Sequence, residues 1–343
     1  MDLKELSRRL GLSMTTVSRA LNGYSDVSPT TRERVVEAAR ALGYMPNSLA
    51  RRLSSGRAEC IGFVMEEVNA YYGDPYFTQL ISGIGEVLGR ANLDLVISGA
   101  ASRDDQLPAY RRLVGGRRVD GLILDRTRSR DPRVGFLLDQ GFPFVTLGRD
   151  DRADEHAWVD VDGAAAFREM TRHLIRLGHR RIGFVGADQR YHFVADRNDG
   201  YLVAMAEAGL PVEPAWRADG DLSEGGGAEA ARRLLSLPEP LTAIVCLDDL
   251  TAMGALRAAR ACGRRVGTDL SVTGYNDLNL ALHADPPLTT SRMPIREAGQ
   301  RLAQMLLQVL NGTAPASLQE LWTSTLQIRQ STAPCREREA LRA

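Results

Sequence analysis

One pattern dominates the chain from Cys60 onward: short apolar runs alternate with amphipathic stretches of helical period. The runs are 60–66 (CIGFVME), 93–98 (LDLVIS), 119–124 (VDGLIL) and 142–148 (FPFVTLG), then 180–187 (RRIGFVGA), 243–247 (AIVCL) and 269–275 (DLSVTGY). Helical patterns fall between them, at 77–90, 164–177, 197–208, 250–262 and 295–310. Runs this apolar suit strands covered on both faces, and helices between such strands build a parallel sheet of the α/β class. Two series of this kind predict two lobes with a cleft, in which a ligand sits beyond the carboxyl ends of the strands. Gly225-Gly226-Gly227 is expected to be a loop ahead of a helix.

Composition narrows the function. Hydrophobic residues make up 44% of the 343, and 43 basic side chains balance 43 acidic ones, so a buried core is expected rather than disorder. No apolar run reaches the ~18 residues of a membrane span. The opening MDLKELSRRL is unlike a secretory signal, which predicts a cytoplasmic, nucleoid-associated protein with no membrane partner. Cys60, Cys246, Cys262 and Cys335 lack CxxC spacing and are expected as reduced thiols. Walker A, HExxH and G-x-S-x-G motifs are missing. Gly83, Gly85 and Gly89 lie in a helical pattern with the wrong spacing for a dinucleotide loop. The five histidines show no ligand spacing, and His179 fits a helix-to-strand turn. No enzymatic activity, cofactor or metal ion is expected.

The neutral total hides an asymmetry. Residues 1–58 hold ten basic side chains against five acidic ones, while the rest reverse the balance, 33 against 38. A basic head on an acidic body suits a polyanion partner for the head alone. Asp2 and Glu5 have capping-box spacing ahead of Leu3, Leu6 and Leu10. Ser13 is placed to cap a second helix that buries Val17, Ala20 and Leu21 and leaves Met14, Thr15, Ser18 and Arg19 elsewhere. Ser28-Pro29 starts a third helix through Val35, Ala39 and Leu42. Two short helices joined at Gly11 and buttressed by a third make a helix-turn-helix unit, whose second helix enters the major groove.

The run LSMTTVSRALNGYSDVSPTTRERVVEAARALGYMPNSLARRL resembles the head of the lactose-repressor/galactose-repressor (LacI/GalR) family. Thr16-Val17-Ser18-Arg19, Asn22, Val27-Ser28, Thr31-Arg32, Gly43-Tyr44, Pro46-Asn47, Ala50 and Leu53 carry the likeness, which extends over essentially the whole chain. It implies a DNA-binding head (1–46), a hinge helix (47–58) and a doubly wound, two-lobed body like the periplasmic binding proteins (59–343). The implied lobes are about 59–158 with 290–318, and about 159–289 with 319–343. The DNA-contacting residues it implies are Ser13, Met14, Thr15, Thr16, Ser18, Arg19, Asn22, Ser28, Thr31 and Tyr44, with Asn47, Ala50, Arg51 and Leu53 in the hinge. SLARRLSS is too short to hold a helix alone in water. In the family two such segments pair in the minor groove, where a leucine, Leu53 here, wedges a base step open.

The resemblance also marks effector contacts. Arg197 matches the arginine that grips the effector, Asp248 with Asp249 the family's Asn-Asp or Asp-Asp pair, and Asn276 a pocket position that is usually Asp. Tyr76 and Phe77 begin a helix beside the cleft, Arg126 and Arg149 follow strand ends, and Leu222 replaces a frequent aromatic. Carboxylate and amide acceptors facing an arginine fork suit hydroxyl groups. The expected reading is thus a sequence-specific transcriptional regulator, a repressor by family default, that binds double-stranded operator DNA and a mono- or disaccharide. A dimer is expected, because family tetramers add a leucine-heptad helix whereas the stretch after Pro334 has only Leu341. The competing readings are a solute-binding protein without DNA function, a regulator sensing a non-sugar metabolite, and a nucleotide-dependent enzyme.

Overall fold

The computed structural model describes residues 2–21, 24–44, 56–66, 74–102 and 104–335. The chain divides into two compact units, Met1–Glu59 and Cys60–Ala343. In the first, α1 (Leu3–Leu10), α2 (Met14–Leu21) and α3 (Pro29–Ala41) close on Leu6, Val17, Ala20, Val27, Val35 and Ala39. Asp2 caps α1 by accepting from the Glu5 N–H at 2.8 Å. The expected capping box is only half made, because the Glu5 carboxylate turns to Arg8 and Arg9 instead. Ser13 accepts from the Thr16 N–H, and Ser28 from the Thr31 N–H. The hinge residues Asn47, Ala50, Arg51 and Leu53, like Asn22 and the C-terminal stretch after Cys335, lie outside the described residues.

The body opens with β1 (Cys60–Met65), α4 (Pro75–Arg90), β2 (Asp94–Gly99), α5 (Leu107–Gly115), β3 (Gly121–Leu124), α6 (Pro132–Asp139), β4 (Phe144–Leu147) and β5 (Ala157–Val161). There follow α7 (Gly163–Arg176), β6 (Ile182–Gly186), α8 (His192–Glu207), β7 (Arg217–Asp219), α9 (Glu224–Leu235), β8 (Ala243–Cys246) and α10 (Asp249–Ala261). The last elements are β9 (Ser271–Asn276), α11 (Asn279–Leu282), β10 (Thr289–Arg292), α12 (Ile295–Leu310), β11 (Gln319–Trp322) and β12 (Thr325–Gln327). One sheet has the order β11-β5-β4-β3-β1-β2, all parallel; the other is β12-β10-β9-β8-β6-β7, parallel except at β12. Both sheets are doubly wound, which brings the carboxyl ends of the inner strands to one rim.

The lobe boundaries differ from the expected ones. Strand β5 pairs with β4 and β11 as far as Val161, so the first crossing lies at 162 rather than near 158. Strand β10 runs to Arg292 in the second sheet, and β11 returns to the first. The later crossings therefore fall at 293–294 and 323–324, a few residues beyond the expected 290 and 318. A strand is committed to its sheet along its whole paired length, so the chain can change lobe only in the loop beyond it. Residues 225–227 are also not a loop: they form the first turn of α9, capped by Ser223. A Cβ at Gly227 would stand 2.5 Å from the Thr251 carbonyl oxygen, and one at Gly254 would stand 2.2 Å from that of Glu224. These glycines let α9 and α10 touch backbone to backbone. Gly83 does the same in α4, where a Cβ would collide with the Arg296 carbonyl of α12. His179 sits buried in the expected turn, within 3.0 Å of Thr242 Oγ1 and of the Ala333 carbonyl oxygen.

Candidate functional site

In the head, Val17 and Ala20 are buried while Ser13, Met14, Thr15 and Arg19 are exposed and Thr16 and Ser18 are half-buried. Met14 is 48% exposed. Arg19 pairs with Asp26, Nη2 to Oδ2 at 2.6 Å. Ser28 donates to Thr31 Oγ1 at the start of α3. Tyr44 packs partly against the head's core, and its burial raises the phenol pKa. The second helix thus presents short polar groups, one thioether and one arginine on a single face.

The body carries a cleft of about 810 Å³, part of it open to solvent. The first lobe lines it from the helix start of α4 and the ends of β3, β4 and β5, the second from α8, the loop after β7 and the ends of β8 and β9.

Asp74 caps α4, accepting from the Tyr76 N–H at 2.9 Å, and its other oxygen lies 3.4 Å from Arg126 Nη2. Burial pushes the Asp74 carboxyl up to about 6 against the pull of Arg126, with Asp248 of the other lobe adding to the rise. The Tyr76 hydroxyl donates to Asp125 Oδ1 at 3.3 Å. Asp125, the residue before Arg126, is buried and its pKa raised by that burial.

On the second lobe Arg197 donates through Nη1 to the Leu247 carbonyl at 3.0 Å. Its guanidinium lies 4.0 Å from the Tyr275 ring centroid, 4.8 Å from Phe193 and 5.7 Å from Phe167. This aromatic box fixes the fork in orientation. Asp248 caps α10 by accepting from the Thr251 N–H at 2.7 Å. Its neighbour Asp249 does not line the cleft. It is fully buried, accepts from Thr290 Oγ1 and the Leu278 N–H, and is pushed up to about 7 by burial.

Two features mark the cleft as built for a ligand. Asp125 Oδ2, Arg197 Nε and Asn276 Oδ1 are buried and have no hydrogen-bond partner among the described residues. Folded proteins rarely leave such atoms unmatched. Three lining residues other than glycine also have positive φ: Arg126 at 53°, Leu222 at 67° and Asn276 at 110°. Backbone strain of this kind costs about 1–3 kcal/mol per residue and collects where a side chain must be aimed.

Of the expected contacts, Tyr76, Arg126, Arg197, Asp248 and Asn276 meet in this one cleft. Phe77 does not. It is the next residue in the same helical turn, and the 100° step points it inward against Phe63, with ring centroids 5.6 Å apart. Arg197 stands in the second turn of α8, which starts at His192, five residues before the expected helix start. Arg149 stands beside the cleft, paired with Asp160 at 2.7 Å and with Asp196 of the other lobe at 3.2 Å. Asp160, His192 and Asp196 come close enough to share a cation, but Arg149 already supplies that charge. Sequence reasoning missed Phe193, whose signal was its place one helical turn before Arg197. It also missed Asp125, which directly follows a recognised strand.

Residues 2–47 match the family described as bacterial regulatory proteins, lacI family, and residues 171–332 match a periplasmic binding protein-like domain. The chain is 36% identical to the HTH-type transcriptional regulator AglR of Rhizobium meliloti, covering 99% of this chain and 96% of that protein. It is 37% identical to RafR of Escherichia coli, over 94% and 96%. A solved CelR–cellobiose complex superposes with a TM-score of 0.75 at 30% identity, covering 97% of this chain and all of that one. The lac repressor dimer bound to operator superposes with a TM-score of 0.83 at 26% identity, over 97% and 99%. The chain belongs to the LacI family and is a DNA-binding transcriptional regulator, not an enzyme.

Proposed function

We propose that this regulator is a homodimeric, cytoplasmic repressor whose operator affinity is set by a neutral mono- or disaccharide held between its lobes. The observation that carries the ligand class is the cleft's chemistry. It offers a donor (Arg197 Nε) and two acceptors (Asp125 Oδ2, Asn276 Oδ1) without protein partners. The Tyr76 and Phe193 rings line the same space. Hydroxyl groups need donors and acceptors at once, and sugar rings present apolar faces to aromatic side chains. Of the five lining carboxylates, Asp160 and Asp196 are held by Arg149 beside the cleft, while Asp74, Asp125 and Asp248 face Arg126 and Arg197. The site therefore carries no surplus positive charge for a sugar phosphate or a uronic acid. CelR is solved with cellobiose, and a LacI-family regulator of Enterococcus faecium with ribose, which fits the same class.

DNA contact is assigned to Ser13, Met14, Thr15, Thr16, Ser18 and Arg19 on α2 and its cap, with Ser28, Thr31 and Tyr44 beside it. Asn22, Asn47, Ala50, Arg51 and Leu53 keep the roles the resemblance gave them. Sugar binding closes the lobes, and the two-state shift changes operator affinity by differential binding. The test is a thermal-shift screen with neutral sugars, sugar phosphates and nucleobases, followed by operator release in a gel shift. Neutral sugars are expected to stabilise the protein and release DNA. Stabilisation by nucleobases or phosphates alone overturns the proposal.

A further inference from the structure

We infer that Asp26 is a positioning residue for base recognition, holding the Arg19 guanidinium so that its other edge meets a guanine. The inference rests on Arg19 entering the major groove. Its basis is the geometry of three side chains. Arg19 Nε donates to Asp26 Oδ1 at 3.1 Å while Nη2 stands 2.6 Å from Oδ2, a two-point clasp along one edge of the guanidinium. The Tyr24 ring lies under the same group, 5.1 Å from its central carbon. Clasp and ring together leave the plane of the fork little freedom. The remaining edge, Nη1 and the outer N–H of Nη2, matches the spacing of O6 and N7 on guanine.

The loop that carries Asp26 is itself anchored. Val27 is buried in the head's core, Arg32 donates to the Tyr24 carbonyl at 2.7 Å, and the Tyr24 N–H returns to the Arg19 carbonyl. The Arg19 and Asp26 side chains remain 45% and 50% exposed, and ion pairs so exposed contribute little to folding. A carboxylate on a face that must approach phosphates weakens binding to any DNA. Its gain has to lie elsewhere. A pre-aimed fork reads a base without first losing its own rotational freedom, so specificity is where that gain appears.

The test is selection of random duplexes by the full-length protein, comparing wild type with Arg19→Ala, Asp26→Asn and Asp26→Glu, and then measuring specific and non-specific affinity at one salt concentration. Wild type is expected to select one guanine per half-site, and Arg19→Ala to lose that preference. Asp26→Asn should reduce the preference at the same position about tenfold, within the range for one bidentate contact. Its affinity for random DNA should stay equal or rise, its thermal midpoint should hold, and Asp26→Glu should restore part of the preference. An Asp26→Asn protein with the wild-type guanine preference overturns the inference. So does one that gains equally on operator and random DNA, which would make Asp26 merely repulsive. Unchanged selection by Arg19→Ala would instead remove the underlying reading of Arg19, and the two failures are distinguishable.

Discussion

Arg149 and Asp196 form an ion pair from lobe to lobe, guanidinium Nη2 to carboxylate Oδ2 at 3.2 Å, while the same arginine also holds Asp160. Without the arginine, two carboxylates are left unneutralised on opposite lobes. Burial already raises the Asp196 pKa, with His192 and then Arg149 pulling it down.

Arg149→Leu should therefore make closure harder. The side chains are 30% and 25% exposed, so solvent screening holds the effect to roughly 1 kcal/mol, or about fivefold in sugar affinity. Calorimetric titration at low and high salt checks this, and the gap between wild type and variant should shrink as salt rises.

Arg197→Ala should bind operator normally and fail to release it with sugar. The substitution removes the fork and its contact with the Leu247 carbonyl. Arg197→Lys keeps the charge without the planar fork and should respond poorly as well. A gel shift across a sugar titration separates these variants from wild type. A normal sugar response in Arg197→Ala would remove the arginine from the ligand site.

The contribution of Asp74 to stability should fall as pH rises from about 4 to 6. Asp74 has its carboxyl raised from 3.8 to about 6, so in that window the folded protein holds a proton that the unfolded chain releases. By linkage the slope of unfolding free energy with pH is then negative. The shift corresponds to on the order of 3 kcal/mol for this well-buried group. Asp249, raised to about 7, extends the decline upward. Comparing the melting temperature of wild type with Asp74→Asn between pH 4.5 and 7 isolates the first contribution. The variant should be relatively more stable at pH 7, and equal slopes would exclude Asp74 as the cause.

Gly254→Ala should destabilise the second lobe by about 1–3 kcal/mol, the usual cost of overpacking. The added methyl meets the Glu224 carbonyl at 2.2 Å and the Ala228 nitrogen at 2.5 Å, both backbone atoms that cannot rotate away. Urea unfolding measures the loss. Gly85→Ala is the control, since nothing lies within 4 Å of its added carbon.

How much was legible in the sequence follows from burial. Strands covered on both faces, such as β3 and β8, consist of continuous apolar residues and stand out. The edge strands β7 (RAD), β11 (QELW) and β12 (TLQ) are short and partly exposed, so no apolar run announces them. Helix α9 was misread because three glycines argue for a loop by propensity, whereas here they answer to a neighbouring helix absent from local sequence. In the site, motif residues were placed well. The Tyr76–Phe77 pair shows the limit: which of two adjacent aromatics faces a cleft depends on a helix start, and that is the boundary a sequence specifies least.

The chain passes between the lobes three times, and all three passages lie at the same edge of the two sheets, because β5 pairs with β11 and β10 with β12. A single tether would let the lobes twist, slide and wander. Three neighbouring ones act as a row of pins and leave bending about their common line as the one easy motion. The free energy of gripping a small molecule is then channelled into a single coordinate. In the proposed mechanism the body is a transducer with one moving part, whose stroke is set by connectivity before any side chain in the cleft is chosen.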